Sequence, residues 1–445
     1  MNPALNGKKI AVVGLGVSNL SAVRYLLRHD VSKITIFDTR QQPPRLSELP
    51  TGIEVRLGEL SSAVLSTYDM IVLGPGISIF NEEIATAAAK GVEVVGDIEL
   101  FAREVKVPVI GITGSNGKST VTALTTLMAQ SAGKKAIAAA NFGIPVFDVL
   151  NDEADLYVLE LSSFELETTD SLKLNSATIL NVSEDHLDRY HGSIEEYAKA
   201  KQRIFKNAKA AVINRADHYT IPYCNLPHVS FGTDGIGYGR IVENGGEVFL
   251  GVGGQKILNV RELKICGIHN ELNALASMAL CDLADVGIDR EAQVKALRSF
   301  RGLPHRCQVV VEIDGVSYYN DSKATNVASA QAAIEGLSGR HPEGILLLAG
   351  GLGKGQDFTP LKKYLGKEVQ KIFCFGKDAQ KLLDLDSERC VRVADLHEGL
   401  VQAKAQAHRG QAVLLSPACA SFDQFRGFED RGEKFVSMCD ELNHA

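Results

Sequence analysis

The sequence predicts an α/β protein of three domains, each built on a mainly parallel sheet. Three observations point there. Short apolar, β-branched runs alternate with helical patterns along nearly the whole chain. Glycine-rich turns follow several of these runs directly, as in "KIAVVGLGVSN" and "VPVIGITGSNGKST". The alternation changes character at about residues 232–260, where "GRIVENGGEVFLGVGGQKILNV" sets turn glycines between short strands and predicts a small antiparallel insertion.

In the first series, "KIAVVG", "KITIFD" and "DMIVLGPG" read as strands. Between the first two, "NLSAVRYLLRHD" places Leu20, Val23, Leu26 and Leu27 at helical spacing. The second series begins at "VPVIGIT" and continues through "DLYVLELSSF", "SATILNV" and "KAAVIN". After the insertion come two helical segments, "NELNALASMALCDLADVG" and "DREAQVKALRSF". The third series runs from "CQVVVEIDG" through "GILLLAGG" and "KIFCFG" to "QAVLLSPACASFDQF". Breaks near Gly96 and at Gly302-Leu303-Pro304 delimit domains 1–96, 97–302 and 303–445. No fixed-period repeat or low-complexity tract interrupts them.

Composition excludes several classes. With 45% hydrophobic and 23% charged residues in 445, the chain reads as an ordinary globular protein. The net charge is -7 and the basic residues are dispersed, which argues against a nucleic-acid or membrane surface. No apolar run approaches the roughly 18 residues a membrane span needs. The N-terminus has neither the apolar length nor the cleavage site of a secretory signal, so a cytoplasmic location is expected. Eight cysteines occur without any C-x-x-C pair, so reduced thiols are expected rather than zinc ligands. No heptad or repeat implies assembly, and a monomer is the default.

"GLGVSN" follows a strand and precedes a helix, and Asp38 ends the next strand. This is the context of a dinucleotide fingerprint, but Asn19 stands where its third glycine belongs. Amides at the helix N-terminus could face a nicotinamide dinucleotide or another nucleotide, such as a UDP-linked substrate. A plain strand-to-helix turn is the third reading.

"GITGSNGKST" at residues 111–120 departs from the strict P-loop, which needs glycine where Ile112 stands. Strand, glycine loop, Lys-Ser and helix nevertheless make a phosphate cradle. Loop amides and the helix N-terminus bind phosphate oxygens, Lys118 adds positive charge, and the Ser119 hydroxyl suits Mg²⁺. The central domain is therefore expected to be of the P-loop ATPase type, between two Rossmann-like domains. Glu160 ends one apolar strand, and Asp185 and His186 follow the next. Acids at strand ends usually cap turns, but two such ends after a phosphate loop could hold Mg²⁺ ions between ATP and an acceptor. In "SIEEYAKAKQRIF", Tyr197 and Lys201 share a helix face. Spacing alone leaves Lys201 a solvated lysine.

Together, "TGSNGKST", "LELSSFELE", "NVSEDHLDRYH", "YAKAKQRIF", "GIHNELNALA", "GLPHRCQ", "NDSKATN" and "LSPACASFDQFRGFEDRGEKF" resemble the Mur ligases over nearly the whole chain. The resemblance is strongest to members that add D-glutamate. It implies a UDP-sugar domain, an ATP domain and an amino-acid domain. The implied reaction joins D-glutamate to UDP-MurNAc-L-Ala, with ATP going to ADP and phosphate. It passes through an acyl phosphate and a tetrahedral intermediate. A carboxylate is a poor electrophile until phosphorylated, and the charge that then accumulates calls for Lys118, two Mg²⁺ ions and neighbouring donors.

The resemblance also implies roles for individual residues. Gly114, Ser115, Asn116, Gly117, Lys118, Ser119 and Thr120 would bind ATP. Asn270 and Asn273 would lie near adenine and ATP, Arg306 at its phosphates and Asp321 at its ribose. From sequence alone, Asn270 reads equally as a helix cap. Ser119 and Glu160 would serve the ATP-side Mg²⁺, and His186 the second. Lys201 matches the lysine that the family carbamylates with CO₂. Asn141 and Ser162 would meet the acceptor near its reacting carboxylate. Val17, Ser18, Asp38, Thr39, Arg40 and Gly74 match uracil and pyrophosphate contacts. Lys323, Thr325, Lys354, Ser421 and Phe428 match the D-glutamate pocket, although "GGLGKGQDF" alone could be a second phosphate loop. His305 is equally a hinge residue. Leu352 departs from an acidic residue seen in some relatives.

Three rivals remain on sequence. One is a ligase of the same family adding another amino acid. The second is an NAD-dependent oxidoreductase, which leaves Lys118, Glu160 and His186 without a task. The third is a nucleotide sensor, which leaves "NDSKATN" and "SPACASFDQF" without one.

Overall fold

The computed structural model describes residues 3–183, 185–186, 189–265 and 267–444. Its first sheet contains β1 (Lys9–Val13), β2 (Lys33–Asp38), β3 (Glu54–Leu57), β4 (Met70–Leu73) and β5 (Glu93–Val95). They lie in the order β3-β2-β1-β4-β5, all parallel. The strand "MIVL" is buried at every position, as continuous apolar runs are when helices cover both faces of a sheet. The strand order reverses between β1 and β4, and it is past the C-terminal ends of such a switch point that open α/β sheets form their ligand crevice. Gly14 and Gly74 begin the loops there.

The second sheet has nine strands. They are β6 (Val109–Thr113), β7 (Ala136–Ala140), β8 (Leu156–Glu160), β9 (Ser176–Ile179), β10 (Ala211–Asn214), β11 (His228–Gly232), β12 (Tyr238–Val242), β13 (Val248–Val252) and β14 (Gln255–Asn259). The order is β14-β13-β12-β11-β10-β9-β6-β8-β7. The parallel part ends where β12 joins β11, and β12, β13 and β14 form an antiparallel meander at the expected place. Four adjacent strands, β9, β6, β8 and β7, all point their C-terminal ends the same way.

The first two sheets are joined through the helix Asp97–Ala102 that follows β5. The Glu99 carboxylate accepts the N–H groups of Asp170 and Ser171 at 2.7 and 2.8 Å, and Arg103 Nε at 3.0 Å. Asp97 and Glu165 are also buried, at 3% and 4% exposure. Burial, and then the Asp97 charge, pushes the Glu165 carboxyl up to about 8.

The third sheet contains β15 (Gln308–Ile313), β16 (Val316–Asn320), β17 (Ile345–Gly350), β18 (Val369–Phe375), β19 (Cys390–Arg392) and β20 (Ala412–Leu415). Its order is β15-β16-β20-β17-β18-β19. "CQVVVEIDG" opens an antiparallel hairpin, not a parallel crossover. Asp314 and Gly315 both take positive φ, 54° and 79°, which suits a two-residue hairpin turn. The last strand, β20, inserts between β16 and β17.

The chain separates into two compact units. One runs up to Val260 and includes Leu272–Leu297; the other comprises Arg261–Glu271 and the chain from Arg298 onward. Within the second, Arg340 Nη2 donates to the carbonyls of Leu263 and Ile265 at 3.1 and 3.3 Å. The seven described cysteines are all free thiols, and Cys266 lies outside the described residues. Among the described residues, no helix is long and apolar enough to cross a membrane.

Leu159 is fully buried in β8. Leu159→Ala should cost about 2–5 kcal/mol, read as a lower urea midpoint, and an unchanged midpoint would contradict this packing. The raised Glu165 pKa makes a second prediction. Between the unfolded carboxylate range and about 8, the folded protein holds a proton that the unfolded chain has lost. Stability from this group is therefore full at acid pH and falls as pH rises through that window. Glu165→Gln should flatten this part of the stability–pH curve; an unaltered slope would count against the assignment.

Candidate active site

The loop after β6 turns at Gly114 and Gly117, with φ of 147° and 86°. Gly111 serves a different purpose: a Cβ there would lie 2.5 Å from Leu174 Cδ1. Ile112 is fully buried inside β6, so no glycine is needed where the strict P-loop has one. The segment after β9 braces the loop. Ser115 N–H donates to the Asn181 carbonyl at 2.9 Å and Asn116 N–H to Asn181 Oδ1 at 2.8 Å. Ser183 N–H donates to Ser115 Oγ at 3.0 Å. Lys118 starts the helix Lys118–Ser131, and its Nζ donates to the Gly114 and Ser115 carbonyls at 2.8 and 3.0 Å. Ser119 and Thr120 occupy the same first turn, half-buried. Asn273 also lies against the loop, because a Cβ on Gly117 would fall 2.6 Å from its Oδ1.

Register then brings the acids in. Ile112 of β6 pairs with Glu160 of β8, and Ala140 of β7 pairs with Glu160 from the other side. Glu160 is 3% exposed. Its Oε1 accepts Asn141 Nδ2 at 2.8 Å, while its Oε2 is buried without a hydrogen-bond partner. Ser162 caps the helix Ser163–Glu167 in a capping box, with its N–H and hydroxyl both donating to Glu165 Oε2 at 2.7 Å.

Lys201 is not solvated. It is 1% exposed, and its Nζ donates to the Gly114 carbonyl at 3.1 Å and lies 4.4 Å from the Tyr197 ring centre. Burial, and then the neighbouring Lys118 charge, lowers its pKa well below the usual lysine value against the pull of Asp185 and Glu160. Lys118 and Lys201 thus share one carbonyl acceptor. His186 is exposed, takes φ 52°, and stands edge-on to the Phe164 ring at 4.9 Å. Its Nε2 lies 3.6 Å from Asp185 Oδ2. Among the described residues, no three His, Cys, Asp or Glu side chains stand together as a metal cage.

At the first crevice, Asn19 replaces the missing glycine with a strut. Its buried Nδ2 donates to the Val13 and Gly14 carbonyls at 3.0 and 2.7 Å. A Cβ on Gly74 would fall 3.0 Å from that nitrogen, so the loop after β4 packs onto it. Asp38 is already engaged. It accepts the Leu15 N–H at 2.7 Å, and Arg40 through its N–H, Nε and Nη2 at 2.9, 2.8 and 2.7 Å. Burial opposes ionisation of Asp38, but these donors outweigh it and hold the pKa below the usual carboxylate value. Val17, Thr39 and Arg40 are exposed beside it and Ser18 is half-buried.

In the second unit, strand order gathers three motifs at the ends of neighbouring β16, β20 and β17. Leu352 and Ala420 exchange backbone hydrogen bonds at 2.8 and 3.0 Å, which sets the Lys354 loop beside Ser421. Leu352 thus acts through its backbone. Ser322 Oγ donates to the Phe428 carbonyl at 2.8 Å, and Lys323 Nζ lies 3.9 Å from the Phe428 ring centre. Thr325 is half-buried nearby in sequence, and Lys354 is exposed. The Gly353 N–H donates to Asp378 Oδ2 at 2.8 Å; a carboxylate in that place argues against a second phosphate loop. Asp321 accepts Cys307 N–H at 3.0 Å and Ser416 Oγ at 2.7 Å, and burial pushes its carboxyl up to about 7. Arg306 is exposed. His305 takes φ 63° and meets Asn320 Nδ2 at 2.9 Å. Asn270 is not a cap: the helix Ile268–Ala284 begins before it, after Gly267 at φ 91°.

Sequence reading passed over three residues that hold this geometry. Asn181 braces the phosphate loop from the segment after β9. Arg431, fully buried, binds the Ser322 and Cys419 carbonyls at 2.8 and 3.1 Å and joins two of the motifs. Arg189 lies inside a quoted motif but pairs with Glu167, 22 residues earlier. Only a fold reveals such partners.

The comparisons agree along the chain. Residues 8–96 match the family described as Mur ligase MurD-like, N-terminal domain. Residues 112–281 match the Mur ligase middle domain, and 305–419 the Mur ligase, glutamate ligase domain. The chain is 46% identical over 439 residues to the UDP-N-acetylmuramoylalanine--D-glutamate ligase of Escherichia coli (strain K12), covering 98% of this chain and 99% of that one. It is 46% identical over 443 residues to the enzyme of the same name from Yersinia pseudotuberculosis, again covering 98% and 99%. Among solved structures, UDP-N-acetylmuramate-alanine ligase MurC from Thermotoga maritima shares the fold at a TM-score of 0.60 and 19% identity, covering 98% of this chain and 100% of that one. MurF ligase from Thermotoga maritima does so at 0.61 and 16%, covering 99% and 96%. With 98% of the chain matched, the glycine loop and Glu160 at neighbouring strand ends of the second sheet, and the C-terminal motifs at neighbouring strand ends of the third, this chain belongs to the Mur ligase family.

Proposed function

We propose that this chain joins D-glutamate to UDP-N-acetylmuramoyl-L-alanine with the conversion of ATP to ADP and phosphate, a step of peptidoglycan precursor synthesis. The full-length 46% identity to ligases of that name supports the substrates. The observation that carries the chemistry is the buried Glu160 Oε2, which has no donor. A buried carboxylate oxygen without a partner is costly, and a cation is the fitting partner.

The ATP γ-phosphoryl group passes to the acceptor carboxylate, the bond to ADP breaking as the acyl–phosphate bond forms. The D-glutamate amine then adds to the acyl carbon, and the tetrahedral intermediate expels phosphate and loses the amine proton. The loop from Gly114 to Thr120 meets phosphate at a helix N-terminus, where the dipole favours anions; the Ser115 and Asn116 N–H groups are held by Asn181 and shape the loop instead. Lys118, resting on loop carbonyls, supplies the mobile positive charge. Ser119 and Glu160 are the fitting holders of one Mg²⁺ ion and His186 of a second. Bound there, magnesium would neutralise phosphate charge. Asn141 and Ser162 border Glu160 and suit the acceptor carboxylate.

Lys201 suits carbamylation. Burial, and then the Lys118 charge, lowers its pKa and so favours the neutral amine, the form nucleophilic toward CO₂; the N–C bond forms as the nitrogen loses a proton. The product is an anion, which turns the repulsion from Lys118 into attraction and would orient a Mg²⁺ ligand. Residues 1–96 serve the UDP group through Val17, Ser18, Asp38, Thr39, Arg40 and Gly74. Residues 97–302 serve ATP with Asn270 and Asn273, joined by Arg306 and Asp321. Residues 303–445 serve D-glutamate. Lys323 and Lys354 match its two carboxylates, aided by Thr325, Ser421 and the Phe428 ring. ATP and a nucleotide-linked sugar as substrates favour a cytoplasmic enzyme, and we read it as a monomer.

Phosphate release from ATP in the presence of UDP-MurNAc-L-Ala should require D-glutamate. Release with L-glutamate or L-alanine but not D-glutamate would overturn the assignment. Lys201→Ala should lower turnover at least about 100-fold, and added short carboxylates should restore part of it. Full activity in that variant would remove Lys201 from the chemistry.

A further inference from the structure

One buried guanidinium in the first unit has no assigned task. Arg189 follows His186 by three residues, and its N–H donates to the His186 carbonyl at 3.0 Å. Its side chain is 10% exposed and that of its partner Glu167 5%. Arg189 Nε and Nη2 donate to Glu167 Oε1 and Oε2 at 3.3 and 2.6 Å. Nη1 also donates to the Pro75 carbonyl at 3.0 Å, and Nη2 to the Ile77 carbonyl at 3.2 Å. Glu167 takes a further hydrogen bond from the Tyr190 hydroxyl at 2.7 Å. The guanidinium lies 4.1 Å from the centre of the Phe164 ring, and the same ring meets the His186 imidazole edge-on.

The side chain therefore ties the loop after β4 to the helix after Glu160, while the backbone N–H of the same residue ties both to the turn carrying His186. A buried ion pair adds little net stability, because desolvation offsets the attraction. What is specific is the geometry. A planar fork meets one carboxylate in two places and reaches two carbonyls of a different loop, which a lysine ammonium cannot reproduce.

We propose that Arg189 is a positioning residue for the ligation, holding the acceptor-side loop at residues 75–77 and the His186 turn in one register. The proposal rests on reading the crevice past β1 and β4 as the seat of the nucleotide-linked acceptor. Acceptor binding that orders residues 75–77 then also orders the His186 turn, and the coupling is reciprocal. The ATP loop is braced by Asn181 and Ser183, while the Arg189 side chain bonds to Glu167, Pro75 and Ile77, so nucleotide affinity should not share this dependence.

The test uses Arg189→Lys and Glu167→Gln in the full chain. Thermal melting reports folding. Titration calorimetry measures UDP-MurNAc-L-Ala binding without nucleotide or metal, and ADP binding separately; steady-state kinetics give kcat and the KM values for the acceptor and for ATP. In folded variants the acceptor Kd should rise and kcat fall, each about tenfold, while ADP binding and the KM for ATP stay within about twofold. Acceptor Kd and kcat both within about twofold of the parent would overturn the proposal. Equal losses of acceptor and ADP binding would also overturn it, as would failure of both variants to fold, since the pair would then be merely structural. A parent protein that binds no UDP-MurNAc-L-Ala would sink the acceptor assignment itself, whereas normal parent binding with unaffected variants sinks only the role of Arg189.

Discussion

The hydrogen-bond register of β6 with β8 and β9 sets the central site. Ile112 pairs with Glu160 on one side and Thr178 on the other, so the phosphate loop, the Glu160 carboxylate and the segment bearing Asn181 leave the sheet at one level. A slip of one residue would turn Glu160 to the other face of β8 and uncouple it from Asn141. Buried apolar side chains along these strands, Ile110 and Ile112 of β6 with Val158 and Leu159 of β8 among them, resist that slip. Chemistry at the strand ends thus inherits its precision from packing well below them.

Charge is then confined where water is scarce. Glu160, Lys118 and Lys201 converge on the loop, with Lys118 and Lys201 sharing the Gly114 carbonyl. The arrangement is incomplete electrostatically: one carboxylate oxygen lacks a donor, and burial lowers the pKa of one amine well below the usual lysine value. Such groups cost stability in the free protein, as unpaired charge and desolvated amines do at sites built to receive charged partners.

The second unit reaches the same end by a different topology. Insertion of β20 between β16 and β17 places the "NDSKATN", "SPACASFDQF" and "GGLGK" loops side by side, although about 100 residues separate the first two in sequence. Buried Arg431 fastens two of them by their carbonyls. Burial lowers its pKa to about 10, yet it still donates to the Ser322 hydroxyl and to the carbonyls of Ser322 and Cys419.

The sequence by itself determined the alternation of strand and helix, the antiparallel insertion, the phosphate loop and the strand-end acids. These are local signals: periodicity, turn glycines and residue type at a strand end act over a few positions. It also carried the family through motifs spread along the chain. Only the tertiary structure decided that Lys201 is buried rather than solvated, that Ile112 needs no glycine, and that Asn270 lies inside its helix. It alone paired Asp38 with Arg40 and Leu15, and Arg189 with Glu167 and the loop after β4. Burial, register and long-range hydrogen bonding depend on which strands become neighbours, and that follows from the packing of the whole unit, not from the order of residues in any one stretch.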